Sequence, residues 1–252
     1  MPLRSLLFNL IFYTLTPVWA VGLTPLLLFR SPVPLRRGIG LWTSVIFFLA
    51  RAVLGLRIER RGVDRLPRHT GYILAAKHQS NLDPIVTFAL LPDMTALAKK
   101  ELFAIPVIGA LFRKLGIIRI DRQAGTAHQA MPDAARAVID ARRPLLVYPE
   151  GTRVPVGERR KLKSGAFHLQ TASKLAVYPV ATNSGLFWRK GLLGMRGGTV
   201  VFEIGEPVPA GLTKAAFMAL LQERVVDRSD ALMRDAEGSA SGPDRLDERG
   251  AA

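Results

Sequence analysis

An unbroken apolar run near the start of the chain most limits how this sequence can fold. Leu6 to Phe29 carry no charge over 24 residues. As a helix, a run of this length can cross a hydrocarbon core of about 30 Å. A signal peptide has a shorter apolar region and a small-residue cleavage site, which the aliphatic stretch after Pro25 does not provide. The sequence therefore predicts a helix that sits in a membrane.

A second apolar stretch, Gly38 to Ala50, follows and is too short to span a membrane alone. Arginines flank both stretches on every side: Arg4 before the first, Arg30, Arg36 and Arg37 between them, and Arg51, Arg57, Arg60 and Arg61 after the second. A spanning first helix would place arginine on the far side, against the positive-inside bias. These positions favour two helices dipping into one leaflet over a single span, and predict residence at the cytoplasmic face of the cell inner membrane.

The charge balance calls for an anionic partner. Lys and Arg number 35 against 20 Asp and Glu, which gives a net charge of +15. Nucleic acid and anionic membrane lipids are the usual partners of such a chain, and the apolar N-terminus favours the lipids. The absence of cysteine excludes a thiolate metal site and a cysteine acyl-enzyme. We expect no nucleic acid, no metal and no cofactor.

Short apolar runs alternate with helical patterns from residue 72 onward. This alternation predicts an α/β fold, with a mixed, largely parallel sheet flanked by helices, preceded by the membrane-embedded two-helix segment. Predicted helices cover 132–139, 164–173 with Ser164 as a cap, and a segment from the cap Thr213 to about Met233. The predicted domains are membrane helices at 1–56, a catalytic domain at 57–234 and a disordered tail at 235–252. The predicted strands are Tyr72–Ala76, Thr95–Ala98, Ile117–Ile120, Leu145–Tyr148, Ala176–Ala181 and Thr199–Ile204.

The segment KHQSNLDP, Lys77 to Pro84, follows the first predicted strand. His78 and Asp83 can face each other there, so that the carboxylate holds one imidazole nitrogen and leaves the other free to take a proton. The plainer alternative is that Asp83 only caps a helix whose first position is Pro84. The chance occurrence of a His and an Asp at this spacing is not negligible, so the pair is weak on its own.

Two further segments place charge just beyond strands. GIIRIDR ends in Arg122, whose guanidinium suits a phosphate, although a surface arginine paired with Asp121 is the simpler interpretation. Lys99 has the same ambiguity. In VYPEGTR, Pro149 and Gly151 predict a turn that puts Glu150, Thr152 and Arg153 at the sheet edge where ligands collect. A fourth segment, VYPVATNS from Val177, reads as a buried strand that we assign to packing.

The four segments, in this order and at these distances, resemble the glycerolipid acyltransferases, most closely the bacterial 1-acyl-glycerol-3-phosphate acyltransferases. The resemblance covers about residues 57–205. It implies that His78 and Asp83 form the catalytic pair and that Arg122, Glu150, Gly151 and Arg153 contribute to binding the glycerophosphate head. Two positions depart from the family pattern: Arg119 stands where an aromatic or aliphatic residue is usual, and Tyr148 where Phe is usual.

The resemblance implies transfer of a fatty acyl group from acyl-CoA or acyl carrier protein to the sn-2 hydroxyl of lysophosphatidate, giving phosphatidic acid. Another acceptor, such as glycerol-3-phosphate or a lyso-ornithine lipid, stays open. So does a hydrolase that uses the same pair to cleave thioesters or lysolipids with water. A non-catalytic membrane or nucleic-acid binder fits the charge but leaves the four segments unexplained.

Overall fold

A seven-stranded sheet forms the centre of the protein in a computed structural model, which describes residues 2–120 and 131–240. The strand order is β1-β7-β6-β2-β5-β3-β4. Strands β2 to β6 run parallel, while β7 is antiparallel to β6 and parallel to β1. The strands are β1 (Leu56–Arg61), β2 (Ile73–Ala76), β3 (Thr95–Lys99), β4 (Ile118–Ile120), β5 (Leu145–Val147), β6 (Val177–Thr182) and β7 (Gly198–Ile204).

Helices cover both faces of this sheet. They are α1 (Pro2–Gly22), α2 (Val33–Leu49), α3 (Leu82–Leu90), α4 (Pro106–Leu115), α5 (Met131–Ala141), α6 (Gly165–Ser173), α7 (Ser184–Phe187), α8 (Lys214–Leu221) and α9 (Arg228–Ala240). Along β2, Leu74 packs with residues of α1, α2 and α3, while Ile73 packs with α5, α6 and α8. Because successive side chains of a strand point to opposite faces, a sheet covered on both sides needs continuous apolar strands. The predicted mixed, largely parallel α/β fold is confirmed.

The N-terminal helices are longer than the sequence pattern predicted. Helix α2 begins at Val33 and continues as a π-helical turn through Leu54, where Gly55 in the left-handed conformation ends it. This helix of 22 residues and a first one of 27, Pro2–Leu28, both have the length and apolar composition to cross a membrane. The expectation of a second helix too short to span was therefore wrong. It failed because Arg36, Arg37 and Arg51 were taken as its limits.

One face of helix α1 belongs to the protein core and the other does not. Phe8 and Phe12 are buried and pack in the same cluster as Leu74 and Ala76 of β2. On the opposite side Leu3 and Leu10 are 76% and 66% exposed. The helix is apolar all round, so its outer face calls for an apolar environment rather than water.

All six predicted strands are present, but β1 was missed. Four of its six residues are charged, so it carries no continuous apolar signal, and within the described residues it pairs only with β7, at the edge of the sheet. Thr213 caps α8 as predicted, accepting a hydrogen bond from the amide of Ala216. Ser164 occupies the cap position of α6 without a side-chain bond. Helix α9 continues to Ala240, so the start of the predicted tail is helical.

Candidate active site

The carboxyl ends of three neighbouring strands bring the site together. Lys77 and His78 follow β2, Tyr148 and Glu150 follow β5, and Ser184 follows β6. These strands are adjacent and parallel, so the segments that leave them meet at one edge of the sheet. Ligands collect at this edge in open α/β sheets.

His78 and Asp83 face each other across the turn that leads from β2 into α3. The His78 Nδ1 atom lies 2.9 Å from Asp83 Oδ2. Asp83 is fully buried, whereas the His78 side chain is 17% exposed. Asp83 Oδ2 also accepts the amide N–H groups of Gln79 and Ser80, so Nδ1 must be the donor in this contact. Nε2 therefore keeps its lone pair and is the atom that can take a proton.

Asp83 accepts hydrogen bonds from several donors besides His78. In addition to the two amides at 2.7 and 2.8 Å, the hydroxyls of Ser80 and Ser184 both contact its Oδ1 atom. Helix α3 begins at Leu82, with Asn81 at the cap position, so the plainer prediction of a cap at Asp83 before a first helical residue at Pro84 was wrong. Instead, Asp83 lies in the first turn of α3, and its carboxylate accepts hydrogen bonds from Gln79 and Ser80, which precede the helix. A carboxylate with this many hydrogen-bond partners is rigid, and it therefore fixes the orientation of the imidazole ring.

A buried ion pair lies under the same turn. The Lys77 ammonium contacts Glu150 Oε1, and both side chains are at most 2% exposed. Glu150 Oε2 accepts the amide N–H of His78 at 3.1 Å, so the pair fixes the backbone that carries the histidine. The sequence predicted a substrate contact for Glu150. Its carboxylate is instead enclosed by the protein, which points to a positioning role.

The turn after Glu150 borders an open cavity of about 550 Å³. Gly151 has a φ of +72°, a left-handed conformation that residues with a side chain rarely adopt, so glycine is favoured there. Thr152 and Arg153 line the cavity together with Gln79, Ser80 and Asn81, the residues that directly follow His78. Arg153 donates a hydrogen bond to Asn81 Oδ1 at 2.5 Å. The cavity therefore joins the histidine turn to an exposed arginine.

Comparison with known proteins identifies the family. The sequence model described as Acyltransferase matches residues 57–183, which include the histidine turn and the turn at Gly151. The chain belongs to the acyltransferase family. It is 30% identical over 212 residues to a 1-acyl-sn-glycerol-3-phosphate acyltransferase of Pseudomonas aeruginosa, covering 82% of this chain and 81% of that one. A protein of the same name from Limnanthes alba is 33% identical over 70% of this chain, but the chain spans only 63% of its length.

The fold of this acyltransferase also has a solved counterpart. The crystal structure of a 1-acyl-sn-glycerophosphate acyltransferase from Thermotoga maritima aligns with a TM-score of 0.71, covering 96% of this chain and 99% of that one. At 21% identity the likeness concerns the fold alone. It extends over the N-terminal helices as well as the sheet, because nearly the whole chain aligns.

Two predicted binding residues of this acyltransferase lie away from the histidine turn or outside the described residues. Lys99 ends β3, which is separated from β2 by β5, and its side chain is exposed at the same edge of the sheet. Arg122 lies outside the described residues, so its predicted contact with phosphate stays a prediction.

Sequence reasoning missed the residues that hold the pair in place. Ser184 ends the segment that was assigned to packing, yet its hydroxyl contacts Asp83 from 101 residues further along the chain. Lys77 precedes the histidine and reads as an ordinary surface lysine. The signal available for Lys77 was the glutamate of the third segment, since a buried carboxylate needs a cation. No local pattern indicated Ser184.

Tyr148 forms the floor under the histidine ring. The two rings stack with centroids 3.9 Å apart and an angle of 15° between their planes. Burial, with a smaller contribution from the charge of Asp83, raises the pKa of the Tyr148 phenol well above its usual value. The phenol is therefore neutral over the working pH range, and its hydroxyl has no hydrogen-bond partner in the part of the chain that the structure describes.

We predict that Tyr148→Phe raises the free energy of unfolding by about 1 kcal/mol, because it removes a buried polar group that is not compensated. The stacked ring stays, so acyl transfer is expected to stay within about twofold, a change worth under ~0.5 kcal/mol. Chemical denaturation and initial rates measure the two effects. A loss of stability would mean that the Tyr148 hydroxyl has a partner. Tyr72→Phe, at a second buried phenol, measures the effect of removing a phenol hydroxyl away from the histidine.

Proposed function

We propose that the chain acylates the sn-2 hydroxyl of lysophosphatidate and so makes phosphatidic acid. The proposal rests above all on the His78–Asp83 pair, which leaves Nε2 able to take a proton in a turn whose next residues line an open cavity with a cationic side chain. The named relatives support the same acceptor, since those from Pseudomonas aeruginosa and Limnanthes alba are 1-acyl-sn-glycerol-3-phosphate acyltransferases. The acyl donor is a thioester of coenzyme A or of acyl carrier protein.

In the proposed reaction, the hydroxyl oxygen of the acceptor attacks the thioester carbonyl carbon while its proton passes to His78 Nε2. The new C–O bond forms, the C–S bond breaks, and the imidazolium returns the proton to the departing thiolate. Asp83 keeps Nδ1 protonated and stabilises the positive ring. A positioned base of this kind contributes about 10²–10⁴-fold to the rate.

The acceptor must reach the site from a bilayer, which the N-terminal helices support. The outer sides of α1 and α2 expose apolar residues, among them Leu10, Val18, Leu41 and Phe48. Arginines at the helix ends can contact anionic headgroups. We propose that residues 1–56 anchor the catalytic part, 57–234, in one leaflet at the cytoplasmic face of the inner membrane.

We propose Arg153 as a ligand of the acceptor phosphate, with Lys99 and Arg122 as further candidates. Arg153→Ala is expected to raise KM for lysophosphatidate about 10- to 100-fold, the loss of one or two charge-assisted hydrogen bonds, with a smaller change in kcat. Steady-state kinetics on mixed micelles measure both constants. Arg160→Ala, at an exposed arginine seven positions further on, is the matched control and should leave KM unchanged.

Incubating the purified protein with lysophosphatidate and each acyl thioester in turn tests the proposal directly. The expected product is phosphatidic acid, and the thioester that supports it identifies the donor. Glycerol-3-phosphate and a lyso-ornithine lipid, offered in parallel, test the alternative acceptors. Free fatty acid in place of a new ester would show a hydrolase and would overturn the proposed transfer.

A further inference from the structure

A short hairpin between α7 and β7 is not used by the proposed chemistry. We define the Leu-Leu hairpin as residues 188–195, with Leu192 and Leu193 at its tip. An antiparallel bridge between Trp188 and Met195 closes it, and the Arg189 amide donates to the Gly194 carbonyl at 3.2 Å. The hairpin lies at the same edge of the sheet as His78, since it leads into the start of the antiparallel strand β7.

Polar contacts fasten this hairpin to the first turns of α1. The Leu192 carbonyl accepts hydrogen bonds from the Ser5 hydroxyl at 2.9 Å and from the side-chain amide of Asn9 at 2.8 Å. The Met195 amide donates to the Ser5 hydroxyl at 3.0 Å. Ser5 and Asn9 are buried polar residues in an otherwise apolar helix, and both are used on the hairpin.

Aromatic packing adds to this attachment. The Trp188 ring packs in a T-shaped arrangement on the rings of Phe8 and Phe12. The centroid distances are 5.3 and 5.5 Å, and the ring planes are nearly perpendicular in both pairs. Such pairs stabilise a contact beyond the area they bury. The Leu-Leu hairpin and α1 therefore form one rigid unit.

The tip of the hairpin exposes apolar side chains beside the exposed face of α1. Leu192 and Leu193 are 57% and 63% exposed, next to a helix whose Leu6 and Leu10 are 43% and 66% exposed. Arg189 and Lys190, just before the tip, are exposed and have no acidic partner among residues 2–120 and 131–240. Leucines at a tip with cations behind them suit the boundary between acyl chains and anionic headgroups.

Backbone groups decide whether a loop can enter lipid, because an unpaired carbonyl there is costly. Irregular backbone usually fails this condition. At the tip, the Leu192 carbonyl accepts two hydrogen bonds, from Ser5 and Asn9, and the Gly191 carbonyl accepts one from the Gly194 amide. These bonds lower the cost of placing the tip in lipid.

We propose that the Leu-Leu hairpin inserts into the leaflet beside α1 as a third membrane element, with Arg189 and Lys190 at the level of anionic phospholipid headgroups. Trp188, Arg189 and Lys190 line the cavity that Arg153 also lines, together with Tyr13 of α1. The hairpin and α1 then frame the opening through which the lipid acceptor passes from the bilayer to His78. This inference rests on the proposed membrane-bound function.

Single-cysteine labelling tests the inference, since the natural chain has no cysteine. An environment-sensitive fluorophore is placed on Leu193→Cys, on Leu10→Cys of α1, and on Ala172→Cys of α6. The last site is exposed and belongs to the layer on the opposite face of the sheet. Each protein is reconstituted with vesicles of equal parts phosphatidylcholine and phosphatidylglycerol, with or without lipids that carry a quencher on the acyl chain.

The expected result is a blue shift and acyl-chain quenching at position 193 comparable to those at position 10, and neither at position 172. A probe at 193 that stays in water while the probe at 10 inserts would overturn the inference and leave the proposed anchoring intact. If the probe at 10 also stays in water, the membrane attachment itself fails.

A second variant tests the attachment to α1. In the Leu193→Cys protein, Ser5→Ala with Asn9→Leu removes the donors to the Leu192 carbonyl and is expected to abolish quenching at 193. The same pair in the Leu10→Cys protein should leave quenching at 10 unchanged. Thr16→Val removes a buried hydroxyl elsewhere on α1 and is the matched control. Full quenching at 193 without the two donors would contradict the role of these bonds.

Discussion

Replacing His78 with alanine is expected to lower acyl transfer by about 10²–10⁴-fold, the contribution of a positioned general base. The side chain is partly exposed, and its ring packs on Tyr148 without filling the core, so the fold should persist. Initial rates of phosphatidic acid formation measure the loss of transfer. Circular dichroism and vesicle binding on the same preparation measure whether the fold persists.

The matched control for this experiment is His168→Ala, on α6 and on the other face of the sheet. It removes an imidazole without touching the site and should leave the rate unchanged. Turnover near the normal rate in the His78→Ala protein would remove the basis of the proposed mechanism. Loss of vesicle binding in the same protein would instead indicate a structural role for His78.

Breaking the Lys77–Glu150 pair should have the largest effect on stability. Lys77→Met leaves the Glu150 carboxylate buried without its cation, and we expect a loss of about 3–5 kcal/mol in the free energy of unfolding. Glu150→Gln strands the ammonium in the same way but can still accept the His78 amide. Denaturant titration of the two single variants measures both losses.

The double variant Lys77→Met with Glu150→Gln should be more stable than the sum of the single losses implies, because no uncompensated charge remains. Glu206→Gln, which removes the charge of the exposed pair with Arg65, is the control and should cause no measurable change. Additive losses at Lys77 and Glu150 would show that the two charges do not depend on each other. Activity should fall in each single variant, since a buried charge without its partner disturbs the turn that carries His78.

The sequence predicted what local spacing determines. His78 and Asp83 were found because five positions across a strand-to-helix turn bring two side chains together, and the structure places them 2.9 Å apart. The turn that carries Gly151 and Arg153 was predicted because proline and glycine mark a turn at the end of a strand. The six apolar strands followed from the same kind of local signal.

What the sequence did not reveal depends on contacts between distant segments. Ser184 reaches Asp83 only because β6 lies beside β2 in the sheet, an order that no local pattern contains. Glu150 was predicted to bind substrate from its place at the sheet edge and from the family resemblance, and only its burial with Lys77 shows that its charge is paired inside the protein. The edge strand β1 is charged and was missed for that reason.

The shared core of α1, α2 and the sheet has a practical consequence for anyone who wants a water-soluble form of the enzyme. Cutting the chain just before Leu56 would strip Phe8, Phe12, Ile46 and Leu54 from the cluster that also holds Leu74. The remaining fragment would present an open apolar face to water and should aggregate. Detergents or nanodiscs that cover the exposed apolar side of α1 and α2, rather than truncation, are the way to keep the enzyme in solution.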